Sequence, residues 1–149
     1  MTSWIPAFKE LLKSFNAEKV RYLLVGGYAV IFHGHPRSTI DLDLWVEPSE
    51  SNAESIRTAC EAADIFIPLV AFESLKTPNQ VIRVGVEPLR VDLITTLPEL
   101  EFTACWGKRK LMVVDGIEVP VIDLASLRVT KKASGRFQDL ADLENLPEE

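Results

Sequence analysis

Cysteine is scarce in this sequence. Cys60 and Cys105 are the only two among 149 residues, and their spacing is not that of a metal site. Such a pair is typical of reduced thiols, so we expect a cytoplasmic protein. Residues 1–15 also lack the basic start and the uninterrupted apolar core of a signal peptide.

Long apolar runs are lacking as well. No run is long enough to span a bilayer, so the sequence predicts no membrane segment. The net charge of −6 excludes a surface that attracts nucleic acid as a whole, and it leaves a local basic patch open. No internal repeat or linker is visible, and 149 residues suffice for one domain but not for two full ones. We therefore predict a single domain over residues 1–149, with C-terminal helices at about 123–146 included.

The stretch from residue 23 to residue 46 organises the rest of the chain. Leu23–Val25 is apolar and suits a strand that is buried on both faces. Gly26 and Gly27 interrupt it just before residues 28–33, which have helical character. Two adjacent glycines let a ligand approach the main chain, and the free N–H groups at a helix start suit phosphate.

The second half of this stretch supplies two carboxylates. Apolar residues alternate with polar ones from residue 40 to residue 47, which predicts a strand with one apolar face packed on the core. Asp41 and Asp43 then project from the other face, toward the glycine turn. Two like charges so close repel each other, and a divalent cation such as Mg²⁺ removes that penalty. A glycine pair alone is usually only a turn and an Asp-x-Asp strand is often a solvated face, but together they favour a metal-dependent nucleotide site.

A third carboxylate lies further along the chain. Residues 81–86 and 89–95 are predicted to form two strands joined by a turn at Glu87-Pro88. In the second strand Asp92 lies on the face opposite Val91 and Leu93.

Turn and cap residues mark several other elements. Asp115-Gly116 predicts a two-residue hairpin turn, and Pro120 predicts that the strand after it lies at a sheet edge. Helix caps are predicted at Ser3, at Ser49 or Ser51, and at Asp123. The last two helices are expected to end near residues 134 and 145.

Two motifs in this chain resemble those of a known superfamily. The first comprises Gly26-Gly27, His33-Gly34, Arg37, Thr39 and Asp41-Leu42-Asp43. It is similar to the opening motif of the nucleotidyltransferase superfamily, which has a polymerase-beta-like fold. More narrowly, it resembles the small bacterial members grouped with the AbiEii-type toxins. Residues 131–143 resemble the C-terminal motif of the same proteins, in which Lys131, or as second choice Lys132, matches the lysine.

The resemblance, which spans about residues 22–146, implies a fold and a reaction. The fold would be α+β, a minimal nucleotidyltransferase fold with a mixed β-sheet and helices packed on it. An acceptor hydroxyl would attack the α-phosphorus of an NTP and release pyrophosphate. Asp41, Asp43 and Asp92 would be the catalytic carboxylates and would hold two Mg²⁺ ions.

The resemblance also implies the nucleotide-binding residues, which would be Gly26, Gly27, Arg37, Lys131 and Arg136. His33, His35 and Thr39 are expected to stabilise the structure instead. Phe102 and Trp106 are interpreted as packing residues, and Arg109 belongs to a small basic cluster.

Three functions remain open at this point. The first is transfer to RNA, including tRNA, or to a protein hydroxyl in a toxin–antitoxin or phage-defence setting, with a possible cognate partner protein. The second is modification of a small antibiotic. The third is a non-catalytic module that binds a nucleotide or a partner.

Overall fold

The computed structural model describes residues 4–148, and within them six strands and seven helices form one mixed sheet with helices packed on it. The strands are β1 (Tyr22–Val25), β2 (Leu42–Val46), β3 (Val81–Val84), β4 (Val91–Ile94), β5 (Lys110–Val114) and β6 (Ile117–Val121). The helices are α1 (Pro6–Ala17), α2 (Gly26–Phe32), α3 (Glu50–Ala62), α4 (Leu69–Ser74), α5 (Phe102–Gly107), α6 (Leu124–Ser134) and α7 (Phe137–Asn145). The predicted α+β class is confirmed.

The strand order is β3-β4-β2-β1-β6-β5. β2 runs antiparallel to β1 and parallel to β4, and β1 runs parallel to β6. The two outer pairs, β3 with β4 and β5 with β6, are antiparallel. β1 and β2 therefore lie in the middle of the sheet, where the strand that precedes the glycine pair meets the strand that carries Asp43.

A single cluster of buried apolar side chains forms the core. All four residues of β1 are buried, as expected for a strand covered on both faces. Leu42 and Leu44 on β2 and Val91 and Leu93 on β4 are fully buried, so the apolar face of the alternating pattern is confirmed. None of the helices within residues 4–148 is long and apolar enough to cross a membrane.

The acidic face of β2 is less open than the alternation predicts. Trp45 shares that face with Asp43, yet it is only 1% exposed. Its ring packs edge-to-face on Phe102 with centroids 5.2 Å apart, and its Nε1 donates a hydrogen bond to the Thr95 carbonyl oxygen at 3.4 Å. Ile40, in contrast, is exposed, because the strand begins only at Leu42. The polar face is thus accessible around the two aspartates and closed beyond them.

The edge position predicted from Pro120 is wrong. The Asp115-Gly116 hairpin is confirmed, but β6 lies between β1 and β5, and β5 is the edge strand. Because Val114 and Ile117 close the two-residue turn, alternate residues of β6 bond to β5 and the Pro120 nitrogen faces β1. The pairing of β1 with β6 involves only Leu24 and Val121. The missing N–H of Pro120 therefore interrupts no hydrogen bond between these two strands.

Most of the predicted helix ends are confirmed. Ser49 and Asp123 cap α3 and α6 by accepting hydrogen bonds from backbone N–H groups, each at 3.2 Å. Gly135 ends α6 with φ +68°, a conformation that glycine adopts readily. Ser3, the cap predicted for the first helix, lies outside the described residues. α1 begins at Pro6, and Ile5 occupies the position before it.

Candidate active site

Asp43 and Asp92 lie side by side on the sheet. They are paired in register on the parallel strands β2 and β4, so their side chains leave the same face. Asp41 precedes the first residue of β2 and shares that face by the period of two. The alternation in the sequence therefore predicted correctly that the three carboxylates share one face of the sheet, whereas their role as metal ligands stays a prediction. We call these three residues the carboxylate site.

Gly26 touches the carboxylate site directly. Its φ is +65°, and a Cβ at this position would overlap the Asp43 carboxylate. Any other residue would be strained and would push Asp43 away. The first glycine of the pair is therefore required for the position of the aspartate.

Gly27 makes room for the loop between α2 and β2. A Cβ there would overlap the side chain of Thr39 and crowd the Arg37 guanidinium. The Thr39 hydroxyl in turn donates a hydrogen bond to the Asp41 carbonyl oxygen at 3.4 Å, which agrees with the structural role expected for it. The glycine pair thus allows both the acidic strand and its preceding loop to approach the start of α2.

Asp43 carries an uncompensated charge. Within residues 4–148 no basic side chain lies within ion-pair distance of it. Burial, followed by repulsion from Asp92 and Asp41, raises the pKa of Asp43 to about 6, against the weaker opposing effect of Lys131 and Arg136. An acid with a raised pKa in a cleft is a candidate functional group.

Two arginines that the sequence reasoning missed neutralise the other carboxylates. Arg83 on β3 is in register with Asp92, and its Nε and Nη2 lie 2.8 and 3.0 Å from the two Asp92 oxygens. Nη2 also lies 3.4 Å from Asp41 Oδ2. Arg90 Nε lies 2.8 Å from Asp41 Oδ1. The predicted hairpin of β3 and β4 was the available signal, because it sets Arg83 opposite Asp92.

Three of the predicted phosphate-binding residues belong to a second charged group, the C-terminal ion cluster, which comprises Arg37, Lys131, Arg136, Asp139 and Asp142. The Asp142 side chain is fully buried, and its oxygens lie 2.9 Å from Arg37 Nε and 3.0 Å from Lys131 Nζ. Lys131 also bonds Asp139 at 3.0 Å. Arg37 therefore ties the loop before β2 to α7.

Arg136 is the accessible member of this cluster. Its side chain is 76% exposed, while its Nε donates to Asp139 Oδ2 at 2.8 Å. Burial tends to raise the pKa of Asp139, but hydrogen bonds from Arg136, Lys131 and Ser134 outweigh it and lower that pKa to about 2. Asp139 is therefore ionised over the whole physiological range and holds both cations in place.

A pocket of about 90 Å³ is lined by members of both charged groups. Asp43 of the carboxylate site lines it together with Gly26, and Lys131, Arg136 and Asp139 line it from the C-terminal ion cluster. Its apolar wall is formed by Ile94, Leu97, Pro98 and Leu127. A carboxylate, two cations and an apolar wall are groups that a metal-bound nucleotide could contact, but about 90 Å³ is below the roughly 300–1,000 Å³ of typical ligand pockets, so this pocket would enclose only part of a nucleotide.

The residues that were expected to stabilise the structure make hydrogen bonds or packing contacts within the fold. His33 Nε2 lies 2.7 Å from the Ile122 carbonyl oxygen and ties the end of α2 to the end of β6. Phe102 stacks on Trp106 with centroids 5.8 Å apart, and the Arg109 guanidinium lies 4.1 Å from the centre of the Trp106 ring. These aromatic residues lie outside the pocket lining, which agrees with a packing role.

Comparison with known proteins identifies the fold. Neither protein-family models nor curated proteins match this sequence. Among solved structures, the fold is similar to a candidate nucleotidyltransferase from Thermotoga maritima, with 13% identity, a TM-score of 0.60 and coverage of 95% of this chain and 94% of that one. It is also similar to the lincosamide antibiotic adenylyltransferase LnuA with lincomycin bound, with 16% identity, a TM-score of 0.61 and 97% coverage of both chains. At such identity the likeness shows a nucleotidyltransferase fold.

Proposed function

We propose that this protein is a nucleotidyltransferase that moves a nucleoside monophosphate from an NTP to a hydroxyl acceptor. The observation that carries the proposal is the pairing of Asp43 with Asp92 on neighbouring strands, with Gly26 packed against Asp43. A fold shared with an adenylyltransferase supports it. The opposite signs of charge in the pocket lining support it as well, because Mg-NTP carries both signs.

The donor set fits a divalent cation in its chemistry. Asp41, Asp43 and Asp92 offer only oxygen ligands, which Mg²⁺ prefers, and Asp43 has no ion-pair partner within residues 4–148. We propose that these residues hold two Mg²⁺ ions. Bound metal would lower the pKa of the acceptor hydroxyl and stabilise charge on the phosphate. Asp92 would orient the acceptor from β4, while Asp41 and Asp43 would orient the triphosphate from β2.

The nucleotide would lie between the two charged groups. We assign the phosphates to Gly26, Gly27, Arg37, Lys131 and Arg136. Arg136 is the best placed of the cations, because its side chain is largely exposed at the pocket. Lys131 and Arg37 already bond carboxylates, so a phosphate would have to share them with Asp139 and Asp142. The whole chain would act as one catalytic domain.

The acceptor divides the proposal into two cases. Motif resemblance to the AbiEii-type branch favours RNA, including tRNA, or a protein hydroxyl, in a toxin–antitoxin or defence setting with a cognate partner. A small antibiotic is the second candidate, because this chain and LnuA cover 97% of each other and LnuA binds lincomycin. A non-catalytic nucleotide- or partner-binding module is the remaining alternative.

Labelling tests the proposal. The protein is incubated with each radiolabelled NTP, Mg²⁺ and either total RNA, host lysate or a panel of hydroxyl-bearing antibiotics. We expect one class of acceptor to become labelled, and Asp43→Asn to abolish the label. Glu54→Gln on α3, an exposed carboxylate remote from the pocket, is the matched control and should label as wild type does. Nucleotide binding without a labelled product in any mixture would favour the binding module instead.

A further inference from the structure

One guanidinium joins two carboxylates of the candidate metal site. Arg83 bonds Asp92 through two nitrogens, at 2.8 and 3.0 Å, and reaches Asp41 at 3.4 Å. Asp41 directly precedes β2 and Asp92 lies on the neighbouring strand β4, so the arginine bridges two adjacent segments of the sheet. A planar guanidinium with several fixed donors suits this bridging, which a lysine would not reproduce.

The bridge occupies the oxygens that a cation would need. As they stand, no three carboxylate, histidine or cysteine side chains among residues 4–148 converge closely enough to hold a metal ion. Arg83 and Arg90 bond Asp41, and Arg83 bonds Asp92, which leaves Asp43 as the carboxylate without an ion pair within those residues. A cation therefore cannot collect all three carboxylates while Arg83 stays in position.

The position of Arg83 allows its side chain to be displaced from the two carboxylates. It lies on β3, an edge strand, and its side chain is 48% exposed. Asp41 is 33% exposed, so water reaches this part of the bridge. Exposed ion pairs contribute little to stability, so their exchange does not threaten the fold.

We propose that Arg83 is the internal counter-ion of the carboxylate site, and that a divalent cation binds Asp41 and Asp92 only by displacing it. The inference deepens the proposed function and rests on it for the location of the metal, but not for any transfer reaction. Arg83 offsets the repulsion between Asp41 and Asp92 in the metal-free protein, whereas it makes no ion pair with Asp43. It also lowers the affinity for a free cation, because the cation must first break the bridge.

Mn²⁺ binding tests this inference and requires no measurement of enzymatic activity. Electron paramagnetic resonance of the free ion monitors the binding. We expect Arg83→Gln to bind Mn²⁺ up to about fivefold more tightly than wild type, the size expected when an exposed ion pair no longer competes. Arg90→Gln should have a smaller effect, since Arg90 reaches only Asp41 of the three carboxylates. Arg57→Gln is the matched control, because Arg57 pairs with Glu54 on α3 and should leave Mn²⁺ affinity unchanged.

Two further variants make the result decisive. Asp92→Asn in the Arg83→Gln background should cancel the gain, and Arg83→Lys should give an intermediate affinity. Circular dichroism checks that each variant is folded. Equal Mn²⁺ affinity in Arg83→Gln and wild type, or no binding in either, would overturn the inference. Tighter Mn²⁺ binding together with no labelled acceptor would instead reject the proposed transferase and leave the counter-ion role standing.

Discussion

Two groups of charged side chains contribute to the lining of the pocket, and they differ in the sign of charge that is in excess. The carboxylate site has three carboxylates and two arginine partners, Arg83 and Arg90. The C-terminal ion cluster has three cations and two carboxylates, Asp139 and Asp142. The carboxylate site is therefore negative by one charge, with Asp43 lacking an ion pair within residues 4–148, and the C-terminal ion cluster is positive by one charge, with Arg136 and Lys131 sharing Asp139.

The two groups also differ in how deeply their side chains are buried. Asp142 and Lys131 are almost completely buried, where an unpaired charge is costly, so their pairing is an architectural requirement. Asp41, Arg83 and Arg90 are one third to one half exposed, and water can replace any of these partners. The buried cluster is expected to hold the protein together, and the exposed site to exchange its partners with ligands.

The largest effect is expected on transfer when the carboxylate site loses Asp92. Asp92→Asn keeps the shape of the side chain and removes the charge proposed to hold the metal at the acceptor. We expect folding and Mg-NTP binding close to wild type and a loss of transfer by orders of magnitude. Asp41→Asn should impair both binding and transfer. Titration calorimetry and labelling measure the two properties, and near-normal transfer by Asp92→Asn would contradict the two-metal mechanism.

The next largest effect is expected on stability when the buried cluster is broken. Asp142→Asn removes the carboxylate that Arg37 pairs with and leaves Lys131 with Asp139 alone, and removing one partner of a buried ion pair costs about 3–5 kcal/mol. Urea denaturation should show a loss of that size. The matched variant in the exposed site, Asp41→Asn, should cost less than about 1 kcal/mol. Equal losses in the two variants would remove the distinction between the groups.

Substitution of Asp43 should change the stability of the protein in the opposite direction from substitution of Asp142. Its pKa is raised to about 6 in the folded protein, so ionised Asp43 destabilises the fold increasingly as pH rises from about 4 to about 6, and fully above that. Asp43→Asn removes this penalty and should stabilise the protein by about 3 kcal/mol at pH 8. The gain should vanish below pH 4, where Asp43 is protonated in both states.

Thermal melting of Asp43→Asn and wild type at several pH values measures this difference. Glu54→Gln, which removes an exposed carboxylate, controls for the change in net charge. A gain that does not depend on pH would show that the charge of Asp43 is not its cause.

The smallest effect is expected at Arg136, the exposed cation of the C-terminal ion cluster. Arg136→Gln should cost less than about 1 kcal/mol of stability, because the guanidinium is exposed to water. It should weaken Mg-NTP binding by about 1.5 kcal/mol, the lower range for a hydrogen bond to a charged group. Titration calorimetry would show unchanged affinity if the phosphates do not reach this side of the pocket.

Much of the fold was predictable because its signals are local. Hairpin residues such as Asp115-Gly116 and caps such as Ser49 and Asp123 act on the few residues around them. Pro120 misled the prediction, since the missing N–H excludes one hydrogen bond and not a position within the sheet. The edge strand was decided by how β6 met β1, which no local residue specifies.

The sequence by itself determined which face of each strand the key side chains occupy. A period of two set Asp41, Asp43 and Asp92 apart from the apolar core, whatever the neighbouring strands are. Only the tertiary structure decided which partners those charges meet. Arg83 reaches Asp41 across 42 positions of the chain and Arg37 reaches Asp142 across 105. Ion pairs form between side chains that are close in space, whatever their separation along the chain. A sequence pattern that specifies the strand face of a carboxylate therefore does not specify which basic residue lies next to it.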